Sequence, residues 1–158
     1  MTLYHVTRIE NQIEKFTLDT EIEGGRQLGK GIYLSEQPAY WEDRLFAKAN
    51  QCKWLTIEIS DAAKIFNLQN YTQADSDRFM GWLEAEGWIA DGEATPKGKA
   101  LIEDVGDHND ALMHLKAQWL GAQGYDGLVD APGEWGNNWV IWNLDLIGNI
   151  NQVDKKYR

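Results

Sequence analysis

Cysteine is nearly absent from this chain. Cys52 is the only one in 158 residues, so no internal disulfide can form. With three histidines beside it, the sequence has no Cys/His cluster of zinc-ligand spacing, and no metal is expected. Positive charge is scarce: 15 Lys and Arg stand against 25 Asp and Glu, a formal net charge of -10. Such a surface repels phosphate backbones, so nucleic acid is the less favoured partner and attachment to an anionic membrane is not expected, although a local basic pocket for one ligand stays open. No run of about 18 apolar residues occurs, and the start, MTLYHVTRIENQ, lacks a basic region followed by an apolar stretch. The expectation is a soluble, cytoplasmic protein. Internal repeats, low-complexity tracts and linkers are missing too.

What is present points to a folded domain. Hydrophobic residues make up 43% of the chain, with eight Trp, six Tyr and four Phe, which argues against disorder despite the net charge. The length suits one sizeable core and not two, so residues 1–158 are read as a single domain. Thr2 to Val6 reads as a strand, carrying His5 either outward into a site or inward into the core. A glycine-rich turn from Glu23 to Gly31 leads into a short strand, Ile32 to Leu34. Ser35 through Ala49 reads as a capped amphipathic helix, from a Ser-x-x-Pro start and the spacing of Tyr40, Trp41, Leu45 and Phe46. Lys53 to Ile59 alternates as a strand, and Lys64 to Leu68 is a candidate for another. Helices are expected over Asp75 to Gly87 and Asn109 to Gln123, the latter stopped by Gly124. The stretch between Gly87 and Gly106 has no clear periodicity. Gly127 to Asp130 and Trp139 to Trp142 read as a hairpin. The fold class is α+β, mostly antiparallel.

Three features carry candidate chemistry: His5 on the first strand, Tyr33 after a Gly-x-Gly turn, and the acidic-polar loop before Trp139. Singly, each has an ordinary explanation. A lone strand histidine is more often structural, and Tyr33 alone is more often core. The glycines around Lys30 form neither a Walker A loop nor a Rossmann fingerprint. His108 and His114 read as surface or cap residues, and Trp82, Trp88 and Trp119 as core.

Their order and spacing, however, resemble the ADP-ribosyltransferase superfamily, in particular the diphtheria-toxin and poly(ADP-ribose) polymerase branch with its His, Tyr, Glu triad. Tyr4-His5-Val6-Thr7 is similar to the family's His-Gly-Thr segment, with Val6 in place of Gly. Gly29-Lys30-Gly31-Ile32-Tyr33-Leu34-Ser35 is similar to its Gly-Lys-Gly-Ile-Tyr element, the most specific match. Gly124 to Ile147 is similar to its C-terminal hairpin, in which an acid precedes an aromatic strand. A strict match puts that acid on Asn138 or Asn137. The nearest carboxylate is Glu134, as in small phage-borne members, and Asp130 is a second candidate. Residues 70–108 match nothing in the family and are read as a helical insertion suited to target recognition.

The resemblance implies a single-domain ADP-ribosyltransferase-like fold with a split, mostly antiparallel central sheet flanked by helices. It further implies NAD as co-substrate and transfer of ADP-ribose to a macromolecular acceptor, protein first, with nicotinamide released, by a bacterial or phage toxin or effector. His5, Tyr33 and Glu134 would be catalytic. His5, Val6 and Thr7 would meet NAD on the first strand; Arg8, Lys30 and Gly31, with Arg26, would serve the pyrophosphate; Tyr33 would stack on nicotinamide, with Ser35, Asn138 and Tyr40 or Trp41 completing the pocket. Chemically, cleavage of the nicotinamide–ribose bond passes through an oxocarbenium-like state that a carboxylate stabilises, and an electron-rich tyrosine face suits the cationic ring. An NAD glycohydrolase, an inactive NAD- or partner-binding module and an RNA 2'-phosphotransferase relative are the alternatives, the last disfavoured by the acidic balance.

Overall fold

The computed structural model describes residues 1–16, 30–133 and 137–154. These form an α+β arrangement of one seven-stranded sheet, a small hairpin and four α-helices. In chain order the elements are β1 (Thr2–Arg8), β2 (Ile32–Ser35), α1 (Pro38–Leu45), β3 (Cys52–Ile59), β4 (Ile65–Asn67), α2 (Gln73–Ala85), β5 (Ile89–Ala90), β6 (Glu93–Ala94), α3 (Pro96–Val105), α4 (His108–Ala122), β7 (Gly127–Asp130), β8 (Asn138–Ile141) and β9 (Ile147–Gln152). The sheet order is β4-β7-β8-β2-β1-β3-β9. Every pairing in it is antiparallel except β4 with β7, which is parallel.

The sheet buries both faces. On one, Leu3, Ile32, Leu34, Leu55, Ile57 and Ile141 form a core with Phe16. On the other, Leu128 and Val140 pack against Phe79 and Leu83 of α2 and Leu115, Trp119 and Leu120 of α4. The alternation of strand side chains sorts neighbours onto opposite faces, and these clusters identify which residue goes where. Trp119 is buried as expected, while Trp82 and Trp88 are half-buried against the same cluster.

Several elements differ from their sequence reading. The helix expected over 35–49 is confined to Pro38–Leu45. Ser35 belongs to β2, where it pairs with Tyr4 and Asn138, and its Oγ accepts from the Gln37 amide at 2.9 Å without capping the helix. Pro38 sets the start, since a proline fits the first helical turn, and Phe46 ends it in an extended conformation. The strand expected over Thr2 to Val6 runs on to Arg8, because β3 pairs with it through Arg8↔Cys52. The region around 87–106 holds the β5–β6 hairpin and α3; its helix is opened by Thr95, whose side chain accepts from the Gly98 amide, and closed by Gly106 at φ 91°. The edge strand β9 has no counterpart in the sequence reading; its register on β3 shifts between Ile57 and Ile59.

Candidate functional site

The seam between β1 and β2 sets the geometry. β1 is paired with β3 over its whole length, from Thr2↔Glu58 to Arg8↔Cys52, and β2 with β8 over Ile32↔Ile141 to Ser35↔Asn138. Between β1 and β2, only Tyr4↔Ser35 is in register. Beyond that pair the His5 ring spans the seam, its Nδ1 lying 2.9 Å from the Tyr33 carbonyl oxygen. A carbonyl only accepts, so Nδ1 carries the proton and Nε2 presents a lone pair. Nε2 is buried and has no hydrogen-bond partner among the described residues. Burial pushes the His5 pKa below the ordinary histidine value, against the opposite pull of the Tyr33 carbonyl. His5 is therefore a neutral ring with an acceptor facing inward.

His5 and Tyr33 touch through the Tyr33 backbone while their side chains leave the sheet on opposite faces. His5 shares its face with Leu3 and Thr7 and meets Phe16 edge-on, with ring centroids 5.1 Å apart. Thr7 is buried, and its Oγ1 accepts from Asn11 Nδ2 at 2.8 Å. On the other face Tyr33 is half-buried against the α2–α4 cluster, in register with Val140, and two residues on Ser35 stands opposite Asn138. Asp130 pairs with Asn138 on β7, so Asp130, Asn138, Ser35 and Tyr4 form one cross-strand row on the Tyr33 face. Asp130 Oδ1 accepts from Gln69 Nε2 at 2.6 Å.

Helix α1 closes this face. Trp41 Nε1 donates to Asn138 Oδ1 at 3.0 Å, and Tyr40 meets the Trp41 ring edge-on at 5.3 Å. Val6 fills the space beneath α1 together with Cys52 and Trp54, against Trp41 and Phe46, so its side chain is a packing element here. Glu42, one residue past Trp41, is buried and accepts from Trp54 Nε1 at 2.9 Å and from the Cys52 thiol at 3.3 Å. That anchor ties α1 to β3.

The remaining residues named from the sequence are spread around this centre. Gly31 is buried where β8 passes so close that a Cβ would lie 2.6 Å from Val140 Cγ1 and 2.8 Å from the Ile141 carbonyl oxygen; strand packing alone demands a glycine there. Arg8 and Lys30 are exposed at the ends of β1 and the approach to β2. Glu134, Arg26 and the glycine turn up to Gly29 lie outside the described residues. No group of His, Cys, Asp and Glu that could hold a metal occurs among the described residues.

Sequence reasoning missed several features that the tertiary structure assembles. Asn67 clamps the end of β7: its Nδ2 donates to the Ala131 carbonyl at 2.7 Å and its Oδ1 accepts from the Ala131 amide at 3.2 Å. Lys53, nearly buried, pairs with Thr7 and so lies on the His5 face. Trp139 Nε1 is a buried donor without a partner among the described residues. No sequence signal marks these, since each depends on a partner strand.

No protein-family model matches this chain, and no curated protein matches it. A solved structure described as the crystal structure of an anti-CRISPR protein aligns over 97% of this chain and 95% of its own, at 12% identity and a TM-score of 0.38. Likeness at that level supports no conclusion about fold family or activity.

Proposed function

We propose that this chain is an NAD-dependent mono-ADP-ribosyltransferase, a toxin or effector that transfers ADP-ribose to a macromolecular acceptor, protein before nucleic acid. The observation that carries the reading is the seam. His5 and Tyr33, 28 residues apart in sequence, meet through the Nδ1 to carbonyl contact at 2.9 Å, where β1 and β2 keep a single registered pair. The family resemblance implies a split central sheet; here β1 and β2 are neighbours in one seven-stranded sheet, joined by that one registered pair. Tyr33, half-buried on the face opposite the His5 ring, supplies aromatic surface for a cationic ring.

In the proposed reaction the bond between nicotinamide nitrogen and ribose carbon breaks, its electron pair leaving with nicotinamide. The ribosyl cation that develops is stabilised by a carboxylate, which we assign to Glu134, and the acceptor donates a lone pair to the same carbon while losing a proton. The test is incubation of the protein with labelled NAD and a cell lysate, followed by mass analysis. Nicotinamide release with ADP-ribose on a protein is the expected result. Free ADP-ribose as sole product would make it a glycohydrolase, and NAD binding without nicotinamide release a binding module. Glu134→Gln should reduce turnover by about 100-fold or more with little change in NAD affinity, the signature of a group that acts on the transition state. Unchanged turnover would remove Glu134 from the mechanism.

A further inference from the structure

Among the described residues the large sheet ends in two edges, β4 and β9, and the two differ. β4 has three residues, and its last, Asn67, is clamped to Ala131 just beyond β7. β9 runs for six, Ile147–Gln152 (IGNINQ), without a charge or a proline. Charge and proline are the usual devices that keep a strand edge from pairing with another chain. The direction of its hydrogen bonds is set by Val153, whose amide donates to the Trp54 carbonyl of β3 at 2.9 Å. Backbone groups alternate in direction along an antiparallel pair. With Thr56↔Asn151 and Leu55↔Gln152 in register, Asn151 bonds toward β3 while Ile150 and Gln152 direct their N–H and C=O away from it. No described residue supplies a backbone partner on that side. Asn151 and Gln152 are exposed, and Ile150 packs on the core of Leu55 and Ile57. The register shift in the pairing lies between Ile57 and Ile59, outside this stretch.

We propose that the open edge of β9 joins two copies of this chain, their β9 strands running antiparallel across a two-fold axis at Asn151. In that register Ile150 of each copy faces Gln152 of the other, and the four outward groups of each strand stretch are matched in four backbone hydrogen bonds. Asn151 faces its own counterpart as a non-hydrogen-bonded pair, with Cα atoms about 4.5 Å apart. A carboxamide both donates and accepts, so two of them can pair with each other. Charge also favours a second copy at this edge. Chains of net charge -10 repel one another, and β9 carries no ionisable side chain. The flanking Asp154 comes opposite Gly148 of the other copy, so no carboxylate stands against a carboxylate there. An extended segment of an unrelated protein would be recognised through pockets for its alternate side chains; Asn151 and Gln152 offer amides instead. The inference is independent of the NAD reading, since β2 with Tyr33 lies three strands away in the sheet order.

The test is sedimentation equilibrium of the full chain as wild type, Gln152→Pro, Asn151→Asp, Asn151→Lys and an equal mixture of the last two. A four-bond contact is small beside a standard interface, so wild type should form a weak dimer, with a dissociation constant on the order of 100 µM. Gln152→Pro removes an N–H that points away from β3, a place where an edge strand tolerates proline. It deletes two of the four bonds and should weaken the dimer about 30-fold. Asn151→Asp and Asn151→Lys each set like charges face to face and should weaken it by up to about fivefold. Their mixture sets Asp against Lys and should associate more tightly than either variant alone. That reversal is expected only where residue 151 meets its own counterpart. Wild type that stays monomeric at about 1 mM, ten times the expected constant, leaves the edge to another occupant and overturns the proposal. A dimer unaffected by Gln152→Pro forms elsewhere and overturns it too. A mixture no tighter than the separate variants overturns the two-fold register, and this arm stands even if Gln152→Pro does not fold, because the Asn151 side chain is exposed.

Discussion

At the scale of single residues, His5 makes the sharpest physical prediction. Its pKa is lowered from 6.5 in the folded chain, by burial first, so the unfolded chain binds a proton more readily than the folded one. Stability from the neutral ring is present in full above pH 6.5 and is lost as pH falls below it toward the depressed folded value. Melting temperature of the wild type should therefore drop between pH 7 and pH 5 by more than that of His5→Phe, which keeps a ring against Phe16 and cannot be protonated. Equal slopes would mean that His5 is not buried as a neutral ring. Asp126 behaves in the opposite chemical sense: hydrogen bonds from Asn143 and from the Lys64 amide hold its carboxyl below the ordinary range, so its contribution persists through that window and is lost only at stronger acidity. Tyr33 gives the second residue-level prediction. Tyr33→Ala should weaken NAD binding by about 2- to 30-fold, the range of one cation–π contact, while Tyr4→Ala, whose ring lies edge-on to Trp54, should leave affinity near wild type in a folded protein.

At the scale of elements, the position of α1 depends on Glu42 more than on helix propensity. The helix has no side-chain cap at its start. Its buried carboxylate instead receives the Trp54 indole and the Cys52 thiol. Glu42→Ala removes the acceptor shared by the Trp54 indole and the Cys52 thiol and should cost about 1–3 kcal/mol in urea unfolding, at the level of a buried hydrogen bond broken by loss of one partner. A loss below about 0.5 kcal/mol, the level of an ordinary surface substitution, would remove the anchor from the account. The β2–β8 pair offers an independent test. Gly31→Ala drives a Cβ into Val140 and the Ile141 carbonyl, and overpacking of this kind costs about 1–3 kcal/mol.

At the scale of the molecule, the sheet order brings together strands far apart in sequence. β2 stands between β1 and β8, which is how Trp41 and Asn138, 97 residues apart, come to share a hydrogen bond. The parallel pairing of β4 with β7 requires a long crossover, and α2, the β5–β6 hairpin, α3 and α4 all lie within it. The segment 70–108 is thus part of the connection that closes the second core, since Phe79 and Leu83 of α2 pack on Leu128 and Val140. NAD at 100 times its dissociation constant should stabilise the folded protein by about 2.7 kcal/mol, visible as a higher melting temperature. Absence of any shift at saturating NAD would count against the proposed NAD binding.

The sequence alone determined the α+β class, the periodic helices read over 75–87 and 109–123 and found at Gln73–Ala85 and His108–Ala122, the strands of the β7–β8 hairpin, and the order of His5, Tyr33 and the loop before Trp139. These are local signals, carried by spacing and by glycine or proline punctuation. Strand partners are not local: nothing in IGNINQ marks β9 as the neighbour of β3, and nothing near Ser35 says that it pairs with Tyr4 and Asn138 in place of capping a helix. Only the tertiary structure decided which face each side chain takes. It set His5 among apolar residues on one side of the sheet, assembled Tyr33, Trp41 and Asn138 on the other, and turned Val6 from a gap in a motif into packing beneath α1. Register is the physical reason, because a side chain's face alternates with every residue, and register is fixed by partners as far apart as Ile32 and Ile141.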